Sequence, residues 1–373
     1  MRPNSRRIFG LARKETWQIV RDPSSIIIAA FLPLTLLFLF GYGVTFDPRH
    51  YDIGLVVEQP TPETGSFTAS LINSSYFQVE TARHLQDLED KMVAGELKGI
   101  VVLRADFSRQ AFRGDTAPLQ ILVDGTDANT AELIRSYVQA LWASWLRQEL
   151  LSNGVDFRPP IVLEPRLWFN PEASSKNYLV PGSVAIIMTM IGALLTALVV
   201  AREWERGTME ALLTTPIGRW ELLLGKLAPY FVLGMISMVL SVATAIWLFE
   251  VPFRGSFLLL AMISAVFMWA SLGLGLFIST ISPNQLIAAQ ISILSAFLPA
   301  FYFSNFVFEI DSMPVALQWV SYIVPAKYFV STLQTLFLVG NVPELIALDT
   351  AVIGLIGLVF FGLTVRKTRM RLE

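Results

Sequence analysis

The sequence predicts an α-helical integral membrane protein of six transmembrane helices, with a small α/β extracytoplasmic domain inserted between spans one and two. Three observations predict it. Of 373 residues, 54% are hydrophobic and only 16% are charged, well short of the ~25% charge of a soluble domain. The missing charge is concentrated in long apolar runs, each close to the ~20 residues that a helix needs to cross the hydrocarbon. Between the first two runs lies a charged stretch, residues 45–177, with strand and helix periodicities of its own.

Residues 1–24 read as a cytoplasmic amphipathic elbow. Over residues 5–22, Ile8, Leu11, Ala12 and Ile19 share one face, while Arg6, Arg13, Lys14 and Arg21 point away. Pro23 ends this helix and Trp17 suits an interface. The first transmembrane helix occupies residues 25–44. It is long for a signal-peptide core, and Gly41-Tyr42-Gly43 offers no usual cleavage pattern, so a retained anchor is expected.

Residues 45–177 read as the separate α/β domain. Ile53–Val57, Ile100–Leu103 and Leu119–Val123 look like strands. Leu85, Leu88 and Met92 have helical spacing, as do Ile134, Val138, Leu141 and Trp145 behind an N-cap at Asp127. Asn153–Pro171, rich in proline, reads as extended chain returning to the membrane. Residues 178–373 supply five more spans: Tyr178–Ala201, Leu227–Phe249, Ser256–Ile281, Leu286–Val307 and Leu345–Val365. The first five of the six spans contain no Asp, Glu, Lys, Arg or His, and the sixth contains only Asp349. The stretch of about 308–344, punctuated by Pro314, Pro325 and Pro343, reads as short re-entrant helices capping the outer ends of the spans.

Basic residues flanking spans stay cytoplasmic. The N-terminal tail carries Arg2, Arg6, Arg7, Arg13, Lys14 and Arg21, and the C-terminal tail Arg366, Lys367, Arg369 and Arg371. Six spans put both tails on one side, so both termini and the Arg202–Lys226 loop are expected in the cytoplasm, with residues 45–177 outside. The absence of cysteine excludes disulfides, thiolate metal sites and cysteine nucleophiles. No metal, nucleotide or catalytic site is expected in this chain, and no nucleic-acid partner.

The segment Gly218–Lys226 superficially evokes a phosphate-binding loop. Its glycine spacing is wrong, and Leu227 stands where a magnesium-binding Ser or Thr is needed. Val123-Asp124-Gly125-Thr126-Asp127 reads as a strand-end turn and N-cap, not a ligand loop. Trp142 and Trp145 read as packing residues. Glu203 and Glu205, flanked by Arg202 and Arg206, read as solvated ion pairs.

The most informative segment is residues 202–216, Arg202 to Pro216. A charged helix between two charge-free spans must leave the lipid and meet something outside it. Met209, Leu212 and Leu213 form a small apolar face beside Glu203, Glu205 and Glu210, and Thr214, Thr215 and Pro216 end the helix. With Gly207 and Thr208, this run resembles the cytoplasmic coupling segment of type-2 ABC exporter permeases, in the version with a large extracytoplasmic domain after the first span. Phe169-Asn170-Pro171-Glu172, the Tyr178-Leu179-Val180-Pro181-Gly182 opening of the second span, the Pro-broken Met313–Phe329 segment and the elbow match as well.

The resemblance implies an exporter of two permeases, identical or homologous, and two separate ATP-binding-cassette ATPase subunits that carry ATP and magnesium. A periplasmic adaptor is a further expected partner, and the bacterial cytoplasmic (inner) membrane the expected location. The expected cargo is a hydrophobic or amphipathic compound such as a drug or lipid. Its path would run along the second and fifth spans, with Met188, Met190, Phe297, Phe301 and Tyr302 as candidates. A non-transporting signalling or mechanical subunit driven by an ATPase is the alternative. An ion-coupled secondary transporter fits less well, because five spans lack the acidic or histidine relays that such proteins use.

Overall fold

The computed structural model describes residues 5–43, 50–111, 119–152, 168–171, 174–282 and 284–368. Packing divides the chain into two units, Met1–Thr45 with Arg166–Glu373, and Phe46–Pro165. The division groups residues 166–177 with the helical unit, whereas the sequence assigns them to the inserted domain. The extended return expected over Asn153–Pro171 falls largely on residues 153–167, outside the described residues.

In the helical unit, α1 (Ser5–Val20) precedes a first span built from α2 (Pro23–Ile26), a π-helical turn (Ile27–Phe31) and α3 (Leu32–Gly43). Asp22 caps α2, accepting from the Ser24 amide at 3.1 Å.

The inserted unit is α/β. Its order is β1 (Tyr51–Val57), α4 (Pro62–Ile72), β2 (Phe77–Ala82), α5 (Gln86–Val93), β3 (Gly99–Leu103), α6 (Phe107–Gln110), β4 (Leu119–Val123) and α7 (Ala128–Ser152). The sheet runs β2-β1-β3-β4; β1 pairs in parallel with β2 and β3, and β4 is antiparallel to β3. Alternation along the strands feeds two cores. Ile53, Leu55, Val101 and Leu103 pack with Phe67, Phe107, Ile134, Val138 and Trp145, while Val56, Ile100 and Val102 pack with Leu88 and Leu97. The sequence reading missed β2 and α4. In β2 only Phe77 is buried, so its alternation is weak. α4 is set by a reciprocal cap between Thr61 and Thr64 with Pro62 at its first position. Trp142 and Trp145 do pack: both meet Phe67 and Phe107 in edge-on or tilted ring contacts, and Trp145 Nε1 donates to Ser66 Oγ at 3.0 Å. The Asp124 turn closes on itself, its carboxylate accepting from the Thr126 amide and hydroxyl.

The helical unit resumes with α8 (Ser175–Glu205), α9 (Thr208–Leu213), α10 (Arg219–Trp247), α11 (Phe257–Ile281) and α12 (Gln285–Tyr302). A 3-10 turn (Ile310–Ser312), α13 (Val315–Ser321), α14 (Pro325–Gln334), a π-helical turn (Thr335–Val339) and α15 (Pro343–Lys367) complete it. Among the described residues six helices, the first being Pro23–Gly43, are long and apolar enough to span a membrane; the pair Val315–Ser321 and Pro325–Val339, bent by 77°, is a broken span or a re-entrant hairpin. The chain is therefore a mostly helical integral membrane protein. Exposed tryptophans gather at both ends of the spans, Trp17, Trp204 and Trp220 at one and Trp247 and Trp319 at the other, as rings that favour the headgroup region do.

α8 is the centre of the bundle. Its most apolar window is 94% buried, against 22–50% for the other five spans. Its small polar residues satisfy themselves on backbone: Ser183 on Val180 O (2.8 Å), Thr189 on Ala185 O (2.8 Å) and Thr196 across to Leu272 O of α11 (2.8 Å). Ser279 of α11 accepts from the amides of Val200 and Ala201, which fixes the register of the two helices. Gly275 makes the crossing possible, since any Cβ there would overlap the Ala193 carbonyl and the Thr196 hydroxyl.

The fifth span ends earlier than the sequence suggests, at Tyr302 instead of Val307. Phe303 leaves helical dihedrals and Asn305 takes a left-handed φ of 64°. The backbone is satisfied another way: Tyr178 Oη donates to the Asn305 carbonyl at 2.8 Å, and Asn305 Oδ1 accepts from the Ile310 amide at 3.1 Å.

Replacing Gly275 with Ala is expected to destabilise the purified protein by about 1–3 kcal/mol, the usual penalty of overpacking. Gly362→Ala, where nothing lies within 4 Å of the new Cβ, serves as the control and leaves the thermal midpoint unchanged or raises it. Equal effects at the two glycines would refute the α8–α11 packing account.

Candidate functional site

α8 outruns the apolar stretch that starts it and ends in charge. It continues to Glu205, is closed by Arg206, and turns at Gly207, whose φ of 68° is left-handed and disfavours any side chain. α9 then runs for six residues, and Glu221 caps α10 by accepting from the Gly218 amide at 2.9 Å. The sequence expected one helix over Arg202–Pro216; there are two, and Arg202, Glu203 and Glu205 belong to the end of α8. The expected solvated pairing with the neighbouring arginines is corrected for Glu203, which is buried; Glu205 stays exposed and feels the Arg206 charge while bonding Gln285.

Glu203 is buried and is held by lysines. Lys226 Nζ lies 2.8 Å from Glu203 Oε1 and 2.8 Å from Glu15 Oε1, and Lys14 Nζ lies 2.7 Å from Glu203 Oε1 and 3.5 Å from Glu15 Oε1. Thr208, at the start of α9, donates to the other Glu203 oxygen. Two ammonium groups and two carboxylates, from α1, α8 and α10, thus neutralise one another. The side chains of Lys226, Glu15 and Glu203 are 1%, 2% and 4% exposed, so the charges depend on each other and not on water.

A second layer of polar contacts surrounds this cluster. Arg202, buried, pairs with Asp22 at 2.9 Å and donates to Gln285 Oε1 at 3.2 Å, linking α8 to the first and fifth spans. Glu205, exposed, accepts from the Gln285 amide and side chain at 3.1 and 2.9 Å. Arg7 sits 3.6 Å from Glu221 and also donates to the Pro216 carbonyl. Beneath these, Leu11, Met209 and Leu222 form an apolar cluster joined by Leu212 and Ile217. α1 crosses α10 closely, because a Cβ on Gly225 would stand 2.7 Å from Leu11 Cβ.

Partial burial opposes the charge of Lys14, but its hydrogen bond to Glu203 and the two carboxylates outweigh it and hold its pKa above the ordinary 10.5. Burial likewise opposes ionisation of Asp22, and the Arg202 guanidinium with the Ser25 and Ser24 hydrogen bonds hold its pKa below 3.8. A raised lysine contributes stability below pH 10.5 and loses it as pH rises through its folded value; a depressed aspartate contributes above pH 3.8 and loses it as pH falls through its folded value. Both contacts are therefore intact across the neutral range.

The structure separates the sequence-derived candidates. Arg202, Glu203 and Met209 are buried and tie the segment to the bundle; Met209, expected on an outward apolar face, is 1% exposed and points at Leu11 and Leu222. Leu212 is half-buried on the same cluster. The Leu213 side chain lies outside the described residues. Glu205, Arg206, Gly207, Thr208, Glu210, Ala211 and Thr214 to Pro216 are exposed. Lys14, Glu15, Asp22, Lys226 and Gln285 were not singled out, although Glu15 interrupts the apolar stripe of Leu11 and Ile19 at helical spacing.

The candidate path residues split as well. Met188 is fully buried in α8, its sulfur 3.7 Å from Ser237 Oγ and 3.9 Å from Ser241 Oγ, and Met190 is 8% exposed. Both are interior packing within this chain. Phe297, Phe301 and Tyr302 form an aromatic ladder on α12 with centroids 5.6 and 5.5 Å apart, and Tyr302 stacks on Phe308.

Removing one member of a buried ion cluster costs about 3–5 kcal/mol. Lys226→Met is expected to lower the thermal midpoint strongly, and adding Glu15→Gln to recover part of the loss, because one orphaned carboxylate is then neutral. A midpoint unchanged by Lys226→Met would show that the cluster does not hold the helices together.

Comparison with known proteins places the chain. The profile of the family described as "ABC-2 family transporter protein" matches residues 23–366. The "Probable multidrug ABC transporter permease YbhS" of Escherichia coli (strain K12) is 48% identical over 369 residues, covering 99% of this chain and 98% of its own. The "Probable multidrug ABC transporter permease YbhR" of the same strain is 29% identical over 333 residues, 89% of this chain and 90% of its own. The "Inner membrane transport permease YhhJ", also of that strain, is 24% identical over 373 residues, 98% of this chain and 97% of its own. With the family profile spanning nearly all of the helical unit and the inserted one, this multi-pass membrane permease belongs to the ABC-2 transporter family.

Proposed function

We propose that this chain is the transmembrane permease subunit of an ATP-binding-cassette exporter. It moves a hydrophobic or amphipathic compound out of the cytoplasm or inner leaflet, and separate ATPase subunits hydrolyse the ATP. The 48% identity to a protein named as a multidrug permease supports the cargo class. Both termini and the α8–α10 loop face the cytoplasm, and the inserted α/β unit lies outside, where it guides cargo or docks an adaptor. The basic tails support this orientation. A second permease completes the path, and the location is a bacterial inner membrane.

The observation that carries the reading is the exposed surface of a short helix on a rigid base. α9 presents Glu210 and Ala211, followed by Thr214 to Pro216, while Met209 and the Glu203–Thr208 contact anchor it to the bundle. An ATPase groove takes this surface, and nucleotide-driven closure of the ATPase pair pushes on it. Because Glu203 sits on the last turn of α8, the push reaches the central helix of the bundle directly. In this reading Glu210 meets the partner, while the buried Glu203 and Met209 act as anchors.

Three measurements test this. Glu210→Lys reverses a charge at the docking surface, where disrupting a buried pair costs about 2–5 kcal/mol. The variant is expected to insert normally, yet to lose co-purification with the ATPase or substrate-stimulated hydrolysis. Parent-like assembly and export would make α9 a mere connector. The purified chain alone is expected to hydrolyse no ATP; turnover free of any partner would refute the reading. In this cysteine-free chain, Glu89→Cys is expected to react with an impermeant thiol reagent on intact cells and Arg369→Cys not to. The reverse pattern would overturn the orientation.

A further inference from the structure

A second feature of the same end of the bundle is not absorbed by coupling. Between α1 and the last turn of α8 lies an open cavity of about 440 Å³ lined by Lys14, Trp17, Gln18, Arg21, Asp22, Arg202 and Arg206. Four cations face it and only one acid. The acid, Asp22, is spent on Arg202 at 2.9 Å, and Lys14 is spent on Glu203 and Glu15. Arg21 and Arg206 have no ion-pair partner among the described residues; Arg21 lies 5.8 Å from the centroid of the Trp17 ring. The lining itself therefore carries more positive than negative charge, and the exposed Glu205 beside Arg206, already hydrogen-bonded to Gln285, makes no close ion pair with it.

Position and rim decide what neutralises it. The cavity lies where the first span begins, at Pro23, and where the α8 span ends, at Glu205. That is the depth of the headgroups. Trp17, 55% exposed, lines the cavity with an amphipathic ring of the kind that settles at this depth. Arginine forks match phosphate oxygens in paired hydrogen bonds, and guanidinium gives up its hydration more readily than ammonium. A volume of this size admits a phosphate with its glycerol.

We propose that this cavity is a binding site for the phosphate headgroup of an anionic phospholipid, with Arg21 and Arg206 as its principal ligands. One phosphate then bridges the end of the elbow to the turn that precedes α9. The lipid adds a third tie, beside the Lys226 cluster and the Arg202–Asp22 pair, between the elbow and the α8–α9 junction.

The test is native mass spectrometry of the purified full chain, extracted from membranes and exchanged into mixtures of phosphatidylglycerol and phosphatidylcholine. The parent is expected to retain phosphatidylglycerol preferentially. Arg21→Gln and Arg206→Gln are each expected to reduce that preference about fivefold, the worth of one basic residue at an anionic surface. Lys91→Gln, which removes an exposed cation from the inserted unit, leaves it unchanged. Thermal midpoints verify that both arginine variants are folded. Equal retention of the two lipids by the parent, or undiminished preference in both variants, overturns the proposal. Displacement of phosphatidylglycerol by millimolar inorganic phosphate also overturns it, by assigning the cavity to the free anion.

Discussion

A lysine side chain with 1% of its surface exposed cannot stand alone, because stripping an ammonium of water costs several kcal/mol unless counter-charges replace it. Lys226 has two, Glu15 and Glu203, each at 2.8 Å, and they come from helices separated in sequence by the first span and the whole inserted unit. That requirement fixes the elbow on α10, the end of α8 beside both, and through Thr208 the start of α9. Withdrawing any one element leaves an unpaired charge in a dry site. The cluster therefore acts less as a source of stability than as a condition on the arrangement: α1, α8, α9 and α10 are placed together or not at all. In the proposed coupling, that condition would matter at the loop on which the ATPase pushes.

The rest of the helical unit obeys the constraint of the bilayer. Every backbone group in the spans needs a partner inside the protein. α8 meets it as a nearly fully buried helix whose Ser and Thr hydroxyls bond to carbonyls, and whose contact with α11 depends on Gly275 and on the Ser279 bridge. Where the helix is abandoned, as at Phe303 to Ile310, Tyr178 and Asn305 supply the hydrogen bonds instead. Under the proposed coupling, a displacement delivered to Glu203 would arrive on a helix with little freedom to deform. Rigid-body movement of the bundle follows more naturally than local unwinding.

The spans were legible because hydropathy over ~20 residues is a local signal, and β1, β3 and β4 because their apolar runs are short and bounded by turns. The prolines at 314, 325 and 343, read only as punctuation, stand at the starts of α13, α14 and α15. β2 and α4 escaped because one buries little and the other is fixed by a threonine cap with few apolar residues behind it. The charge cluster escaped for a different reason. Glu15 and Lys226 are 211 positions apart, and nothing local says that an acid in one amphipathic stripe will meet a lysine at the edge of a span. The same blindness put Glu203 and Met209 on the wrong side of their helix. Residue types and helical spacing identified the segment, but which face was already occupied depended on α1.

The claim that the buried cluster makes the elbow and the α8–α10 loop one body is tested most directly by amide hydrogen exchange on the parent and on Lys226→Met. Exchange is expected to accelerate together in Ser5–Val20 and Thr208–Leu213, while α11 and α15 keep their protection. Acceleration confined to α10, with the elbow and α9 as slow as in the parent, would contradict the account.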